Sequence, residues 1–342
     1  MDAKNGVCTQ IGNDRFTSFS TTGSKSRLNF LELLNAGDTT HLINDAGLAY
    51  MRERNLSGAV IGLLPGHPTK HFADRATWTA HLQALSFTAL DVHPDSVRIA
   101  TEGALWGSIA AQGLLRGTVI ISDDAGQFNV GERALCWVHG ERLVHKLDAF
   151  TADRLAAKEA PRDRDRIWKL YADLRAYARA PTPVAKAELE TRFDAIFTSK
   201  TGFVMLDRQL KRHHANKADL LVVLDRPDVP LHTNGSENDI RTHVTRRKVV
   251  VSKTCERDGG TRSDIGRDAF RGLMKTFAKQ AIRFWDYLGA RLGVPGATSV
   301  PLLPPLIPVR QSNIHPQPGS LTARPFAPVT FGNAKCLIHQ GP

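Results

Sequence analysis

The chain has 342 residues, of which 42% are hydrophobic and 23% are charged, and its formal net charge is +11. This length suffices for one large or two ordinary domains, and the apolar content suffices for a hydrophobic core. The basic balance indicates an anionic partner such as a nucleic acid. The four cysteines form no Cys-x-x-Cys pair, which fits a reducing cytoplasm, and no apolar run is long enough to span a bilayer.

The first elements in chain order are predicted to be a hairpin and a short helix. Residues 7–11 and 16–20 alternate between apolar and polar side chains like two strands, and Gly12-Asn13-Asp14 joins them. The leucines of residues 28–34 then fit one helix face, with Ser24 or Ser26 as the cap. A mixed helical stretch from about residue 42 to 87 follows, which we interpret as an insertion between early and late strands of a sheet.

The next segment combines an apolar run with acidic residues. Its sequence is Thr118-Val-Ile-Ile-Ser-Asp-Asp-Ala-Gly-Gln-Phe128. Residues 119–121 are predicted to form a buried strand, so Asp123 and Asp124 should lie at the carboxyl edge of the sheet. Adjacent residues of a strand point to opposite faces, and only one of these two carboxylates can therefore readily face a bound cation. The other would bond to the backbone of the turn.

Residues 134–224 are predicted to be almost entirely helical, with a basic run at Lys211-Arg212-His213-His214. A further helix is predicted after Thr233 or Asn234, either of which could cap it, and Glu237 falls in its first turns. One interpretation of Glu237 is a capping-box carboxylate at the helix terminus. Cationic residues crowd the stretch that follows it, and they suit contact with DNA phosphates: Arg241, Arg246, Arg247 and Lys248.

Acids at a strand end and on a later helix, beside cationic residues, suit phosphodiester chemistry with two Mg²⁺ ions. Cys136 and His139 have the spacing of a metal-ligand pair on one helical turn, but no second tightly spaced pair follows. A zinc site needs four ligands, or three and a water. We therefore expect Cys136 to pack in the core and His139 to bond to a neighbour or to face DNA.

The segments around these residues resemble a known family, the DDE transposases of bacterial insertion sequences, of the insertion-sequence sixty-six type. The resemblance lies in Ser-Asp-Asp-Ala-Gly-Gln-Phe, in Cys136-Trp-Val-His139, in Asn234-x-x-Glu237 and in Gly259-Gly260, and it extends to about residue 294. It implies a ribonuclease-H-like α/β fold, a mixed sheet with large helical insertions, and three catalytic acids. It also implies Mg²⁺ or Mn²⁺ as cofactor, DNA (transposon ends and target) as partner, a homo-oligomer, and a nucleoid-associated place in the bacterial cytoplasm.

The resemblance assigns the catalytic and metal-binding roles to Asp124 and Glu237, with Asp123 as the alternative to Asp124. Asp124 is preferred because it begins Asp-Ala-Gly, which is similar to the Asp-x-Gly of many such enzymes. The DNA-binding role falls to Arg241, Arg246, Arg247 and Lys248, together with Lys211 and Arg212 of the helical insertion.

One departure from the family concerns its first acid, which belongs on an opening strand just before a hairpin. Here the sequence of residues 1–6 already predicts the turn into the hairpin, and neither Asp2 nor Asp14 is a convincing substitute. We therefore expect an N-terminally truncated transposase whose exposed hairpin edge makes it prone to aggregation. Two alternatives stay open: a non-catalytic DNA-binding remnant, and an unrelated basic helical protein whose acids are structural.

These interpretations divide the chain into six segments. Ten of the 18 prolines lie between Pro295 and Pro342, which predicts a flexible tail. The boundaries are 1–41 for the start of the catalytic core, 42–115 for a mainly helical insertion, 116–139 for the core strand with the second acid, 140–230 for a second helical insertion, 231–294 for core helices with Glu237 and the basic patch, and 295–342 for the tail.

Overall fold

The computed structural model describes residues 7–66, 68–87, 95–147, 161–250, 261–303 and 336–340, without the side chains of 161–164, 243–250, 261–264 and 336–340. It is a mixed α/β structure in which helices predominate. The elements before residue 118 are β1 (Val7–Gly12), β2 (Thr17–Thr22), α1 (Arg27–Leu34), β3 (His41–Leu42), α2 (Asp45–Glu53), α3 (Gly58–Gly66), β4 (His71–Phe72), α4 (Arg75–Ala84) and α5 (Ser96–Ala111). The later elements are β5 (Ile120–Ser122), β6 (Arg133–Leu135), α6 (Trp137–His145), α7 (Pro161–Tyr177), α8 (Pro183–Phe197), α9 (Val204–Ala215), α10 (Lys217–Leu220), α11 (Asn234–Val250), α12 (Thr261–Lys279), α13 (Phe284–Leu292) and β7 (Cys336–Gln340).

The chain divides into two compact units. The first comprises residues 1–9, 15–118 and 258–334, and the second comprises residues 10–14, 119–257 and 335–342. Within the described ranges, no helix combines the length and the apolar character that crossing a bilayer requires. The predicted hairpin is present as the neighbouring strands β1 and β2.

The core of the first unit is built around α2, α4 and α5. Each of these helices begins with a side-chain cap: Asn44 accepts from the Gly47 N–H, Asp74 from that of Thr77 and Asp95 from that of Arg98. Such caps satisfy backbone donors that a helix start leaves unpaired. The buried apolar face that the helices share is centred on Trp78 and Met51, neither of which is exposed to solvent.

Helix α5 approaches β3 and α2 closely because glycines line these contacts. A β-carbon at Gly107 would lie 2.3 Å from the Leu42 carbonyl oxygen, a backbone atom that cannot rotate away. We expect Gly107→Ala to lower the free energy of unfolding by about 1–3 kcal/mol, as overpacking usually does. Gly62→Ala in α3 is the control, since nothing lies within 4 Å of its β-carbon position, and it should raise stability by about 0.5–1 kcal/mol. Urea denaturation of both variants tests this, and equal effects would contradict the packing.

Helix α12 covers the backbone of β2 in the first unit. The Thr276 hydroxyl donates to the Thr17 carbonyl and accepts from the Thr17 N–H, both at 3.1 Å. Lys279 Nζ donates to the Phe16 carbonyl at 3.1 Å. A β-carbon at Gly272 would lie 3.0 Å from the Thr17 oxygen, so this glycine permits the close approach. Side chains of a helix therefore pair backbone groups at the start of this strand, which a strand would otherwise leave open to other chains.

The second unit contains a small sheet with parallel strands. β5 pairs in parallel with β6 in the register Ile120↔Arg133 and Ser122↔Leu135. On its other side β5 pairs in parallel with β7. The predicted strand at residues 119–121 is thus observed one residue later, at Ile120–Ser122, and it ends directly before Asp123. Part of the tail that we predicted to be flexible, Cys336–Gln340, is a strand of this sheet.

The helices of the second unit form one apolar cluster around Trp137. The Trp137 ring contacts Phe193 and Phe197 at centroid distances of 6.1 and 6.2 Å, and its indole N–H donates to the Leu220 carbonyl at 2.9 Å. The Tyr177 hydroxyl likewise donates to a backbone carbonyl, that of Leu224. The predicted helices of residues 134–224 therefore share one apolar core, which fixes α6 and α9 beside the acids. The ribonuclease-H-like topology stays a prediction.

Candidate active site

Glu237 lies in the first turn of α11, and its N–H donates to the Thr233 carbonyl at 3.0 Å. Its side chain is only 10% exposed. His139 Nε2 lies 2.9 Å and Arg142 Nη1 3.5 Å from Oε1 of the carboxylate, and Arg241 Nη2 lies 3.9 Å from Oε2. A buried carboxylate is costly unless charged partners and hydrogen bonds compensate it. His139 and Arg142 of α6 and Arg241 of α11 are the charged partners that compensate the buried Glu237 carboxylate.

Cys136 connects the start of α6 to the Glu237 helix. It is the N-cap residue of α6, and the Thr233 hydroxyl donates to its sulfur at 3.6 Å. Burial alone would raise the pKa of the Cys136 thiol, but its hydrogen bond with His139 and the charge of that ring outweigh burial, so the pKa is lowered. The expectation that Cys136 packs in the core and that His139 bonds to a neighbour is confirmed, because Cys136 is 2% exposed and His139 contacts Glu237.

His139 carries the clearest pH prediction of the site. Burial lowers its pKa, yet Cys136, Glu237 and Asp123 together raise the pKa above the ordinary 6.5. This raised pKa contributes stability that is complete below pH 6.5 and lost as the pH rises through the raised value. We expect the His139 ring to titrate above 6.5 by NMR, and Cys136→Ala to lower the midpoint. A midpoint at or below 6.5 in the unmodified protein would contradict the arrangement.

Asp123 and Asp124 face different groups, as expected for adjacent residues at a strand end. Asp123 Oδ1 accepts from the Ala125 N–H at 3.2 Å, and the Asp123 charge acts on His139 together with that of Glu237. The acid that follows β5 and the acid of α11, far apart in sequence, therefore act on one imidazole.

Asp124 is instead held by the helical insertion. Its Oδ2 lies 2.7 Å from Arg212 Nη2 and 3.4 Å from Asn216 Nδ2. Its backbone has φ of +69°, a region that non-glycine residues adopt rarely and that Asp tolerates better than most. This ion pair orients Asp124 towards α9.

A pocket brings the two aspartates together with residues that the sequence did not single out as a group. It is lined by Asp123, Asp124, Leu135, Cys136, Gly140, Leu143, Gln209, Arg212, His213, Asn216 and Leu220. His213 is buried against Phe197, its Nδ1 lies 2.7 Å from the Gln209 carbonyl, and burial lowers its pKa. A β-carbon at Gly140 would lie 2.8 Å from His213 Nε2, so this glycine allows α9 to approach α6. The basic run at residues 211–214 was the only sequence feature that pointed to the α9 side of this pocket.

The predicted DNA-contacting residues lie on two helices of the second unit. Arg241 is 73% exposed on α11, and Arg212 is 54% exposed on α9 beside the exposed Lys211. Arg246, Arg247 and Lys248 belong to α11, but their side chains lie outside the described ones, as does all of Gly259-Gly260. Asp2, which we judged a poor substitute for the first acid, is outside the described residues as well.

The acids fit a divalent cation in their chemistry, because carboxylate oxygens are the ligands that Mg²⁺ and Mn²⁺ prefer. Among the described side chains, however, no group of three or more His, Cys, Asp or Glu is arranged to hold a metal ion. Arg212 supplies positive charge beside Asp124. Arg142 and His139 supply it beside Glu237.

Comparison with known proteins gives two matches for this chain. The family model described as "Transposase IS66 family" matches residues 104–262, a range that contains both aspartates, the Cys136–His139 pair and Glu237. A Sinorhizobium fredii (strain NBRC 101917 / NGR234) protein named "Uncharacterized protein y4jO" is 44% identical over 294 residues, which are 86% of this chain and 89% of that protein. No solved structure matches the chain. Residues 104–262 thus form a domain of the IS66 family of transposases.

Proposed function

We propose that the chain is the catalytic domain of a transposase that cuts and joins DNA at insertion-sequence ends by phosphoryl transfer. The observation that supports this most is that Asp123 and Cys136 line one pocket, and that His139, one helical turn after Cys136, contacts Glu237 at 2.9 Å. Convergence of a strand-end carboxylate and a helix carboxylate beside exposed arginines suits a site that handles a phosphodiester.

The acids would hold Mg²⁺ or Mn²⁺ through Glu237 and either Asp123 or Asp124. The ion would stabilise charge on the transferring phosphate and activate the attacking water or 3′-hydroxyl. Asp124 is engaged by Arg212 and Asn216, and Asp123 makes the bond to the turn backbone that is predicted for the acid facing away from the cation, so both stay candidates. The sequence preference for Asp124 remains a testable alternative.

The side chains around the acids have separate tasks in this proposal. His139 and Arg142 orient the Glu237 carboxylate, which the buried contacts hold in place. Arg241 combines 73% exposure with proximity to Glu237 and would neutralise a phosphate of the DNA backbone. Lys211 and Arg212 would extend that contact along the helical insertion. We further propose a nucleoid-associated homo-oligomer, since two DNA ends must be held together.

A second candidate function is a DNA-binding remnant without catalysis. One observation favours it: both Asp124 and Glu237 already have arginine partners, and the described side chains contain no three-member ligand group. Such a protein would bind DNA through the same cationic residues, with strong dependence on salt.

The experiment that separates the candidates uses DNA from both flanks of the coding sequence, which would contain the element's ends. The purified full chain is incubated with this DNA and with a scrambled fragment, with and without Mg²⁺, and products are resolved at nucleotide resolution. Cleavage at a defined end, only with Mg²⁺, is the expected result. Salt-sensitive binding without cleavage would favour the remnant, and no binding even at low salt would contradict both candidates.

A further inference from the structure

We propose that the C-terminal strand β7 is an integral part of the unit that carries Asp123 and Glu237, and that it supports the helix from which Glu237 projects. This goes beyond the proposed function, because it assigns a task to a segment outside the matched range, which ends at residue 262. Its tests measure disulfide cross-linking, melting temperature and proteolysis, so their results do not depend on whether the chain cleaves DNA.

Strand β7 lies between two other strands of the sheet. Within the second unit the strand order is β1-β7-β5-β6, with residues 10–12 of β1 belonging to this unit. β7 is therefore an interior strand with neighbours on both sides. An interior strand has partners for backbone groups on both of its edges, whereas an edge strand leaves one row of N–H and C=O groups unpaired. Removing β7 would expose two strand edges at once.

Strand β7 pairs with β5 in a defined direction and register. Ile120 is opposite Cys336 and Ile121 is opposite Leu337, and the two strands are parallel. Parallel strands end at the same edge of a sheet, so β7 runs towards the edge at which β5 is followed by Asp123. The C-terminal strand therefore flanks the strand that positions one of the two acids.

Strand β7 also contacts helix α11. This helix, which begins at Asn234 and carries Glu237 in its first turn, packs against β7. β7 thus lies next to β5 in the sheet and beneath α11. One short strand contacts both elements that bring the acids together, which explains why its loss should disturb the site. It also occupies the position beside β1 that we expected to be an exposed, aggregation-prone edge.

A cross-link tests the pairing directly in the full chain. We expect Ile120→Cys to form a disulfide with the native Cys336 under mild oxidation, because directly opposed residues of neighbouring strands have suitable Cα separations. Val119→Cys is the matched control: Val119 is 2% exposed against 1% for Ile120, but it is out of register and points to the other face. Mass spectrometry of the linked peptides gives the readout. An intrachain link specific to Ile120→Cys supports the proposal.

Two results of the cross-link would overturn it. The same link between two chains would mean that a second copy supplies the strand. Equal or absent linking in both variants would mean that residues 336–340 do not pair with β5.

A second pair of variants tests the supporting role. Proline lacks the N–H that an interior strand donates, whereas valine keeps it, so Ile338→Pro should lower the melting temperature by about 5 °C or more relative to Ile338→Val. Trypsin should cleave α11 after the exposed Arg241 faster in the proline variant than in the valine variant. Equal melting temperatures and equal cleavage rates would overturn the proposed support of α11 by β7.

Discussion

Glu237→Gln is expected to abolish Mg²⁺-dependent cleavage of insertion-sequence ends while leaving DNA binding almost unchanged. Glutamine keeps the size of the side chain and one oxygen that can accept from His139, but it loses the negative charge that would hold the cation. Replacing even an outer partner of a metal ligand typically costs about 10- to 100-fold in metal affinity or activity, so a direct ligand should cost at least about 100-fold. Single-turnover cleavage and a DNA-binding titration at fixed salt measure the two quantities.

Glu188→Gln is the matched control for that variant. It makes the same change of charge at an exposed position on α8 of the same unit, and both rate and affinity should stay at the wild-type values. Because Glu237 is buried beside His139 and Arg142, thermal unfolding must show that Glu237→Gln still folds. Glu237→Asp, which restores the charge, should recover part of the rate. Cleavage by Glu237→Gln at the wild-type rate would exclude a catalytic role for Glu237.

Trp137→Ala is expected to cause the largest loss of stability in the second unit. The side chain is 3% exposed, contacts the rings of Phe193 and Phe197, and donates its indole N–H to the Leu220 carbonyl at 2.9 Å. Truncating a buried aromatic residue removes apolar burial and leaves a cavity, which together cost about 3–5 kcal/mol. The unpaired Leu220 carbonyl adds to this cost. Urea denaturation followed by circular dichroism measures the change.

Two further tryptophan variants are compared with Trp137→Ala. Trp137→Phe keeps a ring in the cluster but loses the hydrogen bond, and it should cost less than the alanine variant, about 1–3 kcal/mol. Trp285→Ala in α13 removes a ring that is 67% exposed, and it should change stability by less than about 1 kcal/mol. A Trp137→Ala protein as stable as Trp285→Ala would contradict the helical core described for the second unit.

Local patterns predicted the elements that position the acids. The apolar run before Asp123 indicated a buried strand, and β5 is found within one residue of the predicted range. Thr233 and Asn234 indicated a helix start, and α11 begins at Asn234 with Glu237 in its first turn. Both features depend on neighbouring residues alone, on runs of apolar side chains and on the chemistry of a helix terminus.

The contacts within the site could not be predicted in the same way, because they join residues that only the tertiary fold brings together. The pairing of Arg212 with Asp124 and that of His139 with Glu237 depend on how α9 and α11 pack in the second unit. Cys136 and His139 were recognised as a pair from their spacing, but the spacing could not reveal that Glu237 completes the arrangement.

Strand β7 was missed for a different reason. Its five residues lie in a proline-rich segment whose composition predicts flexibility, and so short a strand becomes recognisable only through its partners β1 and β5. The covering of β2 by Thr276 and Lys279 of α12 likewise depends on residues far away in the sequence.

Mapping where a divalent cation binds in the full chain tests directly whether Asp123 and Glu237 share one site. Fe²⁺ replaces Mg²⁺, and hydroxyl radicals generated at the bound ion cut the nearby backbone. We expect cuts near both Asp123 and Glu237, suppressed by excess Mg²⁺ and lost in Glu237→Gln but not in Glu188→Gln. Cuts near only one of the two acids, or a pattern unaffected by Mg²⁺, would contradict the claim that they form one cation-binding site.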